Sequence, residues 1–236
     1  MKRLLQLLVV SVTLAAALTV AAPAGGANEC DGLQVCIPIA GPWVPLPAGT
    51  GTARRTAEFQ LTCPQRHVVG GLDAELSVRP IDVSFLGLLG SPVNPGITTS
   101  RAVTFVGTYV GARATGSASF KPYIGCMPAA GGGARVPTAV GVFPPGRPTT
   151  RRVNTVRVRP GTATVTARCV RGERLVGASH VFGFYTQQPP SASLVAGVTG
   201  TRAVRDGRVV VTVRGDAELG GVRAVVQVHA LCAGSP

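Results

Sequence analysis

Three histidines are the only imidazoles in this chain that could support hydrolytic or metal chemistry. His67 falls in a predicted turn, where an exposed polar residue is ordinary. His229 is in phase with Arg223 and Gln227 on a predicted outward strand face. His180 lies on an apolar strand face, a setting that favours a buried, hydrogen-bonded histidine over a catalytic base or metal ligand.

Carboxylates form two close pairs, Asp73 with Glu75 and Asp216 with Glu218. Either pair could hold Ca²⁺ or act on a glycosidic bond. Solvated strand edges and turns explain both pairs with fewer assumptions. The chain also lacks a nucleophile elbow, an HExxH motif and a P-loop. We therefore predict no catalytic residue, no cofactor and no metal site.

The N-terminal segment has the pattern of a secretory signal. Lys2 and Arg3 precede an apolar run over residues 4–20, and small residues follow. This pattern predicts a signal peptide over residues 1–27, cleaved near 24–27. The alternative is an uncleaved membrane anchor, because the run is near the lower length limit for crossing a bilayer. No later segment is apolar enough to cross a membrane, so we expect a secreted or cell-envelope protein.

All six cysteines lie beyond that segment, at Cys30, Cys36, Cys63, Cys126, Cys169 and Cys232. An even number of cysteines in an exported chain favours disulfides over free thiols. None forms a CxxC motif, which argues against zinc binding and redox exchange. Cys63 and Cys126 are 63 positions apart, and so are Cys169 and Cys232. This equality indicates an internal duplication.

Sequence around the cysteines agrees with a duplication. Residues 63–70 resemble residues 169–177 if one inserted residue is allowed, and residues 101–106 resemble residues 208–213. We therefore predict two homologous units.

The predicted units cover residues 28–130 and 131–236. The boundary falls in a Gly- and Ala-rich stretch over 128–135, whose composition suits a flexible connector. A Pro-rich stretch at 144–148 is the alternative hinge, or a loop inside the second unit.

Each unit contains strand-like alternation of apolar and polar residues. It occurs in Ala57–Cys63 and Ala118–Cys126 of the first unit, and in Thr162–Cys169 and Val222–Cys232 of the second. Period-two alternation is typical of half-buried strands, and it turns all four of these cysteines toward the core. We predict an all-β fold of two tandem β-sandwich domains, each with one intradomain disulfide between its packed sheets. Among the roughly 15 possible pairings, we favour Cys30–Cys36, Cys63–Cys126 and Cys169–Cys232.

The spacing of the paired cysteines loosely resembles that of an immunoglobulin domain, although tryptophan and tyrosine are missing from that family's positions. The Cys-x-x-x-x-x-Val-Gly segment and the closing Val-x-Val-x-Ala-x-Cys strand resemble exported β-sandwich proteins of high-GC Gram-positive bacteria. This resemblance implies export and a β fold. It transfers no active site.

The chain is basic, with 23 Lys and Arg against 10 Asp and Glu. Removal of Lys2 and Arg3 with the signal changes the formal charge from +13 to +11. Only one remaining basic residue is a lysine, so high-GC coding bias explains the arginines as well as selection does, and we expect no nucleic-acid partner. The densest basic stretch could nevertheless contact an anionic polymer, through Arg151, Arg152, Arg157 and Arg159.

A second candidate contact surface is an apolar loop within residues 81–95, whose counterpart in the second unit covers 182–190. Its apolar side chains are Phe85, Leu86, Leu88 and Leu89. They could form an exposed patch for a partner protein or cap the sandwich.

The leading functional interpretation is a non-catalytic extracellular or cell-envelope protein that serves a structural or interaction role. Its partner would be an unidentified protein or an anionic cell-envelope polymer. The first alternative is a binding module for anionic cell-wall polymer or carbohydrate, and the second is a secreted hydrolase.

Overall fold

The computed structural model describes residues 28–47, 55–87, 92–93, 100–111, 118–129 and 149–234. The predicted signal peptide and most of the predicted connector lie outside these residues. The strands of the first half are β1 (Ile37–Ala40), β2 (Val44–Pro45), β3 (Arg55–Thr62), β4 (His67–Leu76), β5 (Ile81–Gly87), β6 (Ala102–Tyr109) and β7 (Ser119–Pro128). Those of the second half are β8 (Thr149–Val158), β9 (Gly161–Arg168), β10 (Arg174–Tyr185), β11 (Val198–Arg205), β12 (Arg208–Gly215) and β13 (Arg223–Ala233).

Helical structure is slight in the described residues. The α-helix α1 (Ala192–Ala196) begins after Ser191, whose hydroxyl accepts a hydrogen bond from the Leu194 N–H. A 3₁₀ turn covers Ala217–Gly221. Neither the α-helix nor the 3₁₀ turn has the length and apolar content needed to cross a membrane.

Two antiparallel sheets make up the first half. In one sheet β7 pairs with β4 on one side and with β1 and then β2 on the other. In the second sheet β6 lies between β3 and β5. Alternate apolar side chains from both sheets, including Phe59, Phe105 and Phe120, are buried in one core cluster. The prediction of an all-β fold built from packed sheets is confirmed.

The second half repeats this strand order. β13 lies between β10 and β8, as β7 lies between β4 and the β1–β2 pair. β12 pairs with β11 and lies alongside β9, as β6 lies between β5 and β3. The buried side chains are mainly valines, including Val209, Val211 and Val213 of β12. β-branched residues suit such a core because they pack well on a pleated surface.

A β-bulge occurs at the same place in each half. The pairing of β4 with β7 shifts between Val69 and Gly71, and that of β10 with β13 shifts between Leu175 and Gly177. Each shift begins six positions after the first cysteine of its 63-residue pair. The two segments therefore align without an insertion. The predicted match of Gly70 with Gly177 is wrong, because Gly71 holds the equivalent position.

Three disulfides pair as the sequence predicts, at Cys30–Cys36, Cys63–Cys126 and Cys169–Cys232. The two long-range bonds each join a residue just past one strand to the closing strand of the same half, across the core. A closed loop of this length contributes about 4 kcal/mol on the chain-entropy model. That contribution matters where each half is small.

The two halves meet edge to face. β3 is the outer strand of its sheet, and its free edge lies against the outer face of the β8–β13–β10 sheet. Gln227 of β13 accepts a hydrogen bond from the Gln60 N–H (2.6 Å) and donates one to the Gln60 carbonyl oxygen (3.0 Å). The main chains of Trp43 and Phe184 exchange two more bonds, of 2.9 and 2.8 Å. Main-chain groups that the first half leaves unpaired are thus satisfied by the second.

The predicted mid-unit loops begin later than expected. Ile81–Gly87 forms β5, and Phe182–Tyr185 completes β10. The two segments differ in sequence where the flanking strands match, which favours variable loops on a common scaffold. Pairing with β6 and β13 nevertheless makes both segments parts of strands.

Candidate functional site

A polar cleft of about 260 Å³ lies where the halves meet. Four of its side chains come from different strands: Glu58 from β3, Arg151 from β8, Ser179 from β10 and His229 from β13. We call these four residues the junction cluster. They converge because each occupies a position of its strand that alternates with core-facing residues. The outer face of the second half therefore carries three of them toward the edge of β3.

Hydrogen bonds connect the whole junction cluster. Arg151 Nη1 lies 2.5 Å from Glu58 Oε2, and its Nη2 lies 3.3 Å from Oε1, a two-pronged ion pair. The Ser179 hydroxyl donates a hydrogen bond to Glu58 Oε2, with the two oxygens 3.0 Å apart. Arg151 Nη1 also donates to His229 Nδ1 at 3.2 Å. One arginine thus ties a carboxylate of the first half to an imidazole of the second.

Burial and the arginine determine the charges in this cluster. Burial raises the pKa of Glu58, but the hydrogen bond and charge of Arg151 outweigh that effect and hold the pKa below its usual value. Burial, assisted by the charge of Arg151, lowers the pKa of His229 to about 3. His229 is therefore neutral at physiological pH. Because its Nδ1 accepts from Arg151, its proton is on Nε2, which is buried without a partner among the described residues.

His180 also lines the cleft, on the side of the second half's core. Its ring packs edge-to-face against Phe182, with the centroids 5.6 Å apart. Burial, with the charge of Arg202, lowers its pKa. Its Nδ1 is buried and has no partner among the residues described. Phe182 and Phe184 of the predicted apolar face pack in or against the core, but His180 is only half-buried and the predicted hydrogen bond to its ring is not found among the described residues.

The junction cluster has the residue types of a hydrolase but a different wiring. A nucleophilic serine needs a base that accepts its proton. The Ser179 hydroxyl donates to Glu58, whose lowered pKa makes it a weak base. The His229 nitrogen nearest this network already accepts from Arg151. The arrangement pairs the buried carboxylate, guanidinium and hydroxyl groups with one another and with Nδ1 of His229, and it connects β3 to the second half.

The prediction that His229 faces solvent is wrong. His229 is 1% exposed and Gln227 is 3% exposed, because β3 covers that face of β13. Arg223, predicted on the same face, is exposed and stacks on the Tyr185 ring at 4.4 Å. His67 lies at the start of β4 with its Nδ1 3.0 Å from the Gln65 carbonyl oxygen, next to the turn that the sequence predicts.

The four predicted contact arginines do not form one patch. Arg151 is in the junction cluster, and Arg152 makes a two-pronged ion pair with Glu173, at 2.5 and 2.7 Å. Arg157 and Arg159 are exposed, near the end of β8. Neighbouring positions in a strand point to opposite faces, which separates Arg151 from Arg152.

The predicted apolar contact residues are divided as well. Phe85 is partly buried and packs edge-to-face on Phe105, with the centroids 5.2 Å apart. Leu86 is half-buried in β5 and lies opposite Thr104 of β6. Leu88 and Leu89 lie outside the described residues. For Phe85, this geometry matches the capping alternative.

The carboxylates of the first predicted pair, Asp73 and Glu75, have hydrogen-bond partners in the protein. Asp73 accepts from the main-chain N–H groups of Asn28 and Ala74, both at 2.7 Å. Glu75 accepts from the Tyr123 hydroxyl at 3.0 Å. In the second predicted pair, the main-chain N–H of Asp216 donates to the Gly197 carbonyl oxygen just after β12, and Glu218 lies in the 3₁₀ turn.

One group of possible metal ligands occurs among the described residues, formed by Cys169, Glu173 and Cys232. The two sulfurs are bonded to each other, and Glu173 is paired with Arg152. A disulfide supplies no thiolate ligand. This group therefore consists of a structural disulfide and an ion-paired carboxylate.

A second candidate site covers the outer face of the β11–β12–β9 sheet. Core valines of β12 alternate with outward residues, and the same alternation occurs in the last four residues of β9 and the first four of β11. Most of the outward positions carry hydroxyl or guanidinium groups; the exceptions are Ala203 and Val210, which lie opposite each other between the threonines and the hairpin end. We call this surface the threonine–arginine face; it consists of Thr162, Thr164, Thr166, Arg168, Thr199, Thr201, Arg205, Arg208, Thr212 and Arg214. All of these residues except the half-buried Thr166 are exposed.

The threonine–arginine face carries no carboxylate on its strands, two of which are joined by a tight hairpin. Asp206 and Gly207 join β11 to β12, and both have positive φ (50° and 69°). Positive φ at both central residues is typical of the two-residue hairpin turn whose twist matches that of the flanking strands. Asp206 lies 3.7 Å from Arg208 in an exposed ion pair. Such a pair contributes little. No other side chain of the face has an ion pair or side-chain hydrogen bond within the described part of the chain.

No protein-family model, curated protein or solved structure matches this chain at a significant level.

Proposed function

We propose that this chain is an exported, non-catalytic protein of the cell envelope or extracellular medium, and that it binds an anionic polymer. Its rigid body of two β halves would serve as the scaffold, and the second half as the binding module. Three disulfides and the absence of a membrane-crossing helix among the described residues are compatible with this location.

The uneven division of charge carries the proposal. Residues 149–234 contain 12 arginines and four acidic residues, a net charge of +8. Residues 28–129 contain seven basic and six acidic residues, a net charge of +1. Coding bias acts on the whole chain, so it does not explain why one of two similar halves is basic. A concentrated positive field attracts polyanions.

The hydrogen bonds of the junction cluster support the proposal that the protein is not an enzyme. Its serine, carboxylate and imidazole are engaged with one another or with Arg151. Their shared role is to hold the two halves together, and a binding protein benefits from such preorganisation because it loses less conformational entropy on binding.

Retention on immobilised dextran sulfate, with uncharged dextran as the control matrix, tests this function. We expect the protein to be retained on dextran sulfate alone and to elute with rising salt, because exposed charges are screened. Ser179→Ala and His180→Ala should elute at the same salt concentration as the unmodified protein. Passage through both matrices at low salt would contradict the proposal.

A further inference from the structure

We infer that the threonine–arginine face is the binding surface and that its ligand is an anionic polysaccharide. This inference rests on the proposed function and adds to it the surface and the class of polymer.

The geometry of the face suits an extended chain. Strands in a sheet are about 4.8 Å apart, and outward residues along a strand are about 6.7 Å apart. In β9 this places Thr162, Thr164 and Thr166 in a row, ending at Arg168. In the paired strands, Thr201 lies opposite Thr212. The result is an open lattice of hydroxyl groups rather than a pocket for a small molecule.

The arginines lie at the borders of this lattice. Arg205 and Arg208 lie opposite each other at the hairpin end, and Arg214 lies opposite Thr199 near the other end. Like charges opposite each other in a sheet are destabilising. Asp206 offsets only part of that repulsion, because its ion pair with Arg208 is exposed. A polymer with regularly spaced carboxylates or sulfates would relieve it, since guanidinium groups bind such anions through paired hydrogen bonds.

Threonine selects the polymer class. Its hydroxyl donates one hydrogen bond and accepts others, which matches the hydroxyl groups of sugars. The face has no aromatic side chain, whereas single-stranded nucleic acids are bound largely by stacking on aromatic rings. The chemistry therefore favours a sugar polymer with negative charges.

Two arginine variants with equal charge separate this face from net charge. The face variant replaces Arg168, Arg205, Arg208 and Arg214 with Gln. The control variant replaces Arg79, Arg157, Arg171 and Arg174, all exposed outside the face, with Gln. We expect the face variant to bind dextran sulfate at least about tenfold more weakly than the control variant does. Equal losses in both variants would overturn the inference and leave the proposed function intact.

A threonine variant tests the polymer class without changing charge. Thr164, Thr201 and Thr212 are replaced with Val, which keeps the side-chain shape and favours a strand. We expect weaker binding to dextran sulfate and unchanged binding to poly-glutamate, which has negative charges but no sugar hydroxyls. Unchanged binding to both probes, or tighter binding of the unmodified protein to oligo-dT than to dextran sulfate, would overturn the assignment to a polysaccharide. Failure of the unmodified protein to bind any polyanion would overturn the proposed function as well. Far-UV circular dichroism of each variant verifies its fold.

Discussion

His229 is the residue at which burial, hydrogen bonding and charge meet most directly. Its Nδ1 accepts from Arg151, which is itself paired with Glu58 across the junction of the halves. Protonation of His229 would place a second positive charge beside the guanidinium and remove the acceptor. The folded protein therefore keeps this imidazole neutral.

This charge state predicts a loss of stability in acid. The pKa of His229 is about 3 in the folded protein, against 6.5 for an unperturbed histidine. As pH falls from 6.5 toward 3, the unfolded chain binds a proton that the folded protein excludes, so folding stability falls. The lowered pKa of Glu58 acts in the same direction, because its ion pair is lost as pH falls through the folded-state value.

His229→Gln should remove most of the histidine part of this pH dependence. Glutamine retains an acceptor for Arg151 but does not titrate. Between about pH 7 and about pH 4.5, the unmodified protein should lose about 3 kcal/mol more unfolding free energy than the variant does. Urea unfolding at the two pH values measures this difference. His67→Gln, at the start of β4 and away from the junction cluster, is the control and should behave like the unmodified protein. Parallel pH dependence in all three proteins would refute the assigned charge state.

At the scale of elements, two facing glycines determine where the N-terminal loop packs. Gly71 of β4 lies opposite Gly125 of β7. A Cβ atom at either position would overlap the carbonyl oxygen of Glu29, and at Gly125 it would also crowd Cys36. Because the two glycines have no side chains, the loop closed by the Cys30–Cys36 disulfide packs directly on the main chain of β4 and β7; we call this contact the seat of the loop.

Gly71→Ala should displace that loop while leaving the sandwich in place. The added methyl group meets main chain rather than a flexible side chain, so the loop must move. Hydrogen–deuterium exchange should become faster over residues 28–40 and stay slow in β6. Gly220→Ala, where an added Cβ meets open space, is the matched control. Equal exchange over residues 28–40 in both variants would show that the seat is unnecessary.

Alternation in the sequence predicted the elements of the core well. The phases of Ala118–Cys126 and Val222–Cys232 place the closing cysteines in the core, and the disulfides pair as expected. β5 was not predicted, because Ile81–Gly87 leads into a Gly- and Pro-rich segment that resembles a loop. Its strand character comes from pairing with β6, which is a long-range contact.

The two candidate sites depend on pairing that a linear pattern does not contain. Gln227 and His229 have the polarity of a solvent-facing strand edge, and only the packing of β3 on β13 makes them interior. The alternating threonines of β9 were visible in the sequence as an outward face. Arg168 and Arg214 are 46 positions apart, however, and the sheet brings them to one surface.

For the whole molecule, the junction makes one body of two similar halves. Val181 and Val225 of the second half belong to the core cluster of the first. Gly183 of β10 lies so close to Pro42 and Phe59 that a side chain there would act as a wedge. The only tryptophan, Trp43, is 1% exposed and bonds to Phe184 across the junction. Its fluorescence therefore reports on contact between the halves.

Gly183→Val should open the junction before either half unfolds. The added side chain overlaps Pro42, so the halves separate locally while each keeps its disulfide. Trp43 emission should shift to the red and become accessible to iodide quenching, with the β-sheet circular dichroism retained. Gly221→Ala, which meets open space, is the control. Buried, unquenched Trp43 emission in Gly183→Val would mean that the halves are not held by close packing at this point.

The proposed binding surface for an anionic polysaccharide is the threonine–arginine face of the second half. Arginine modification by phenylglyoxal, with and without dextran sulfate, tests it residue by residue when followed by peptide mass spectrometry. The polymer should protect Arg168, Arg205, Arg208 and Arg214, while the exposed Arg171 and Arg174 remain reactive. Protection of Arg171 and Arg174 with continued reactivity of the four face arginines would contradict the account.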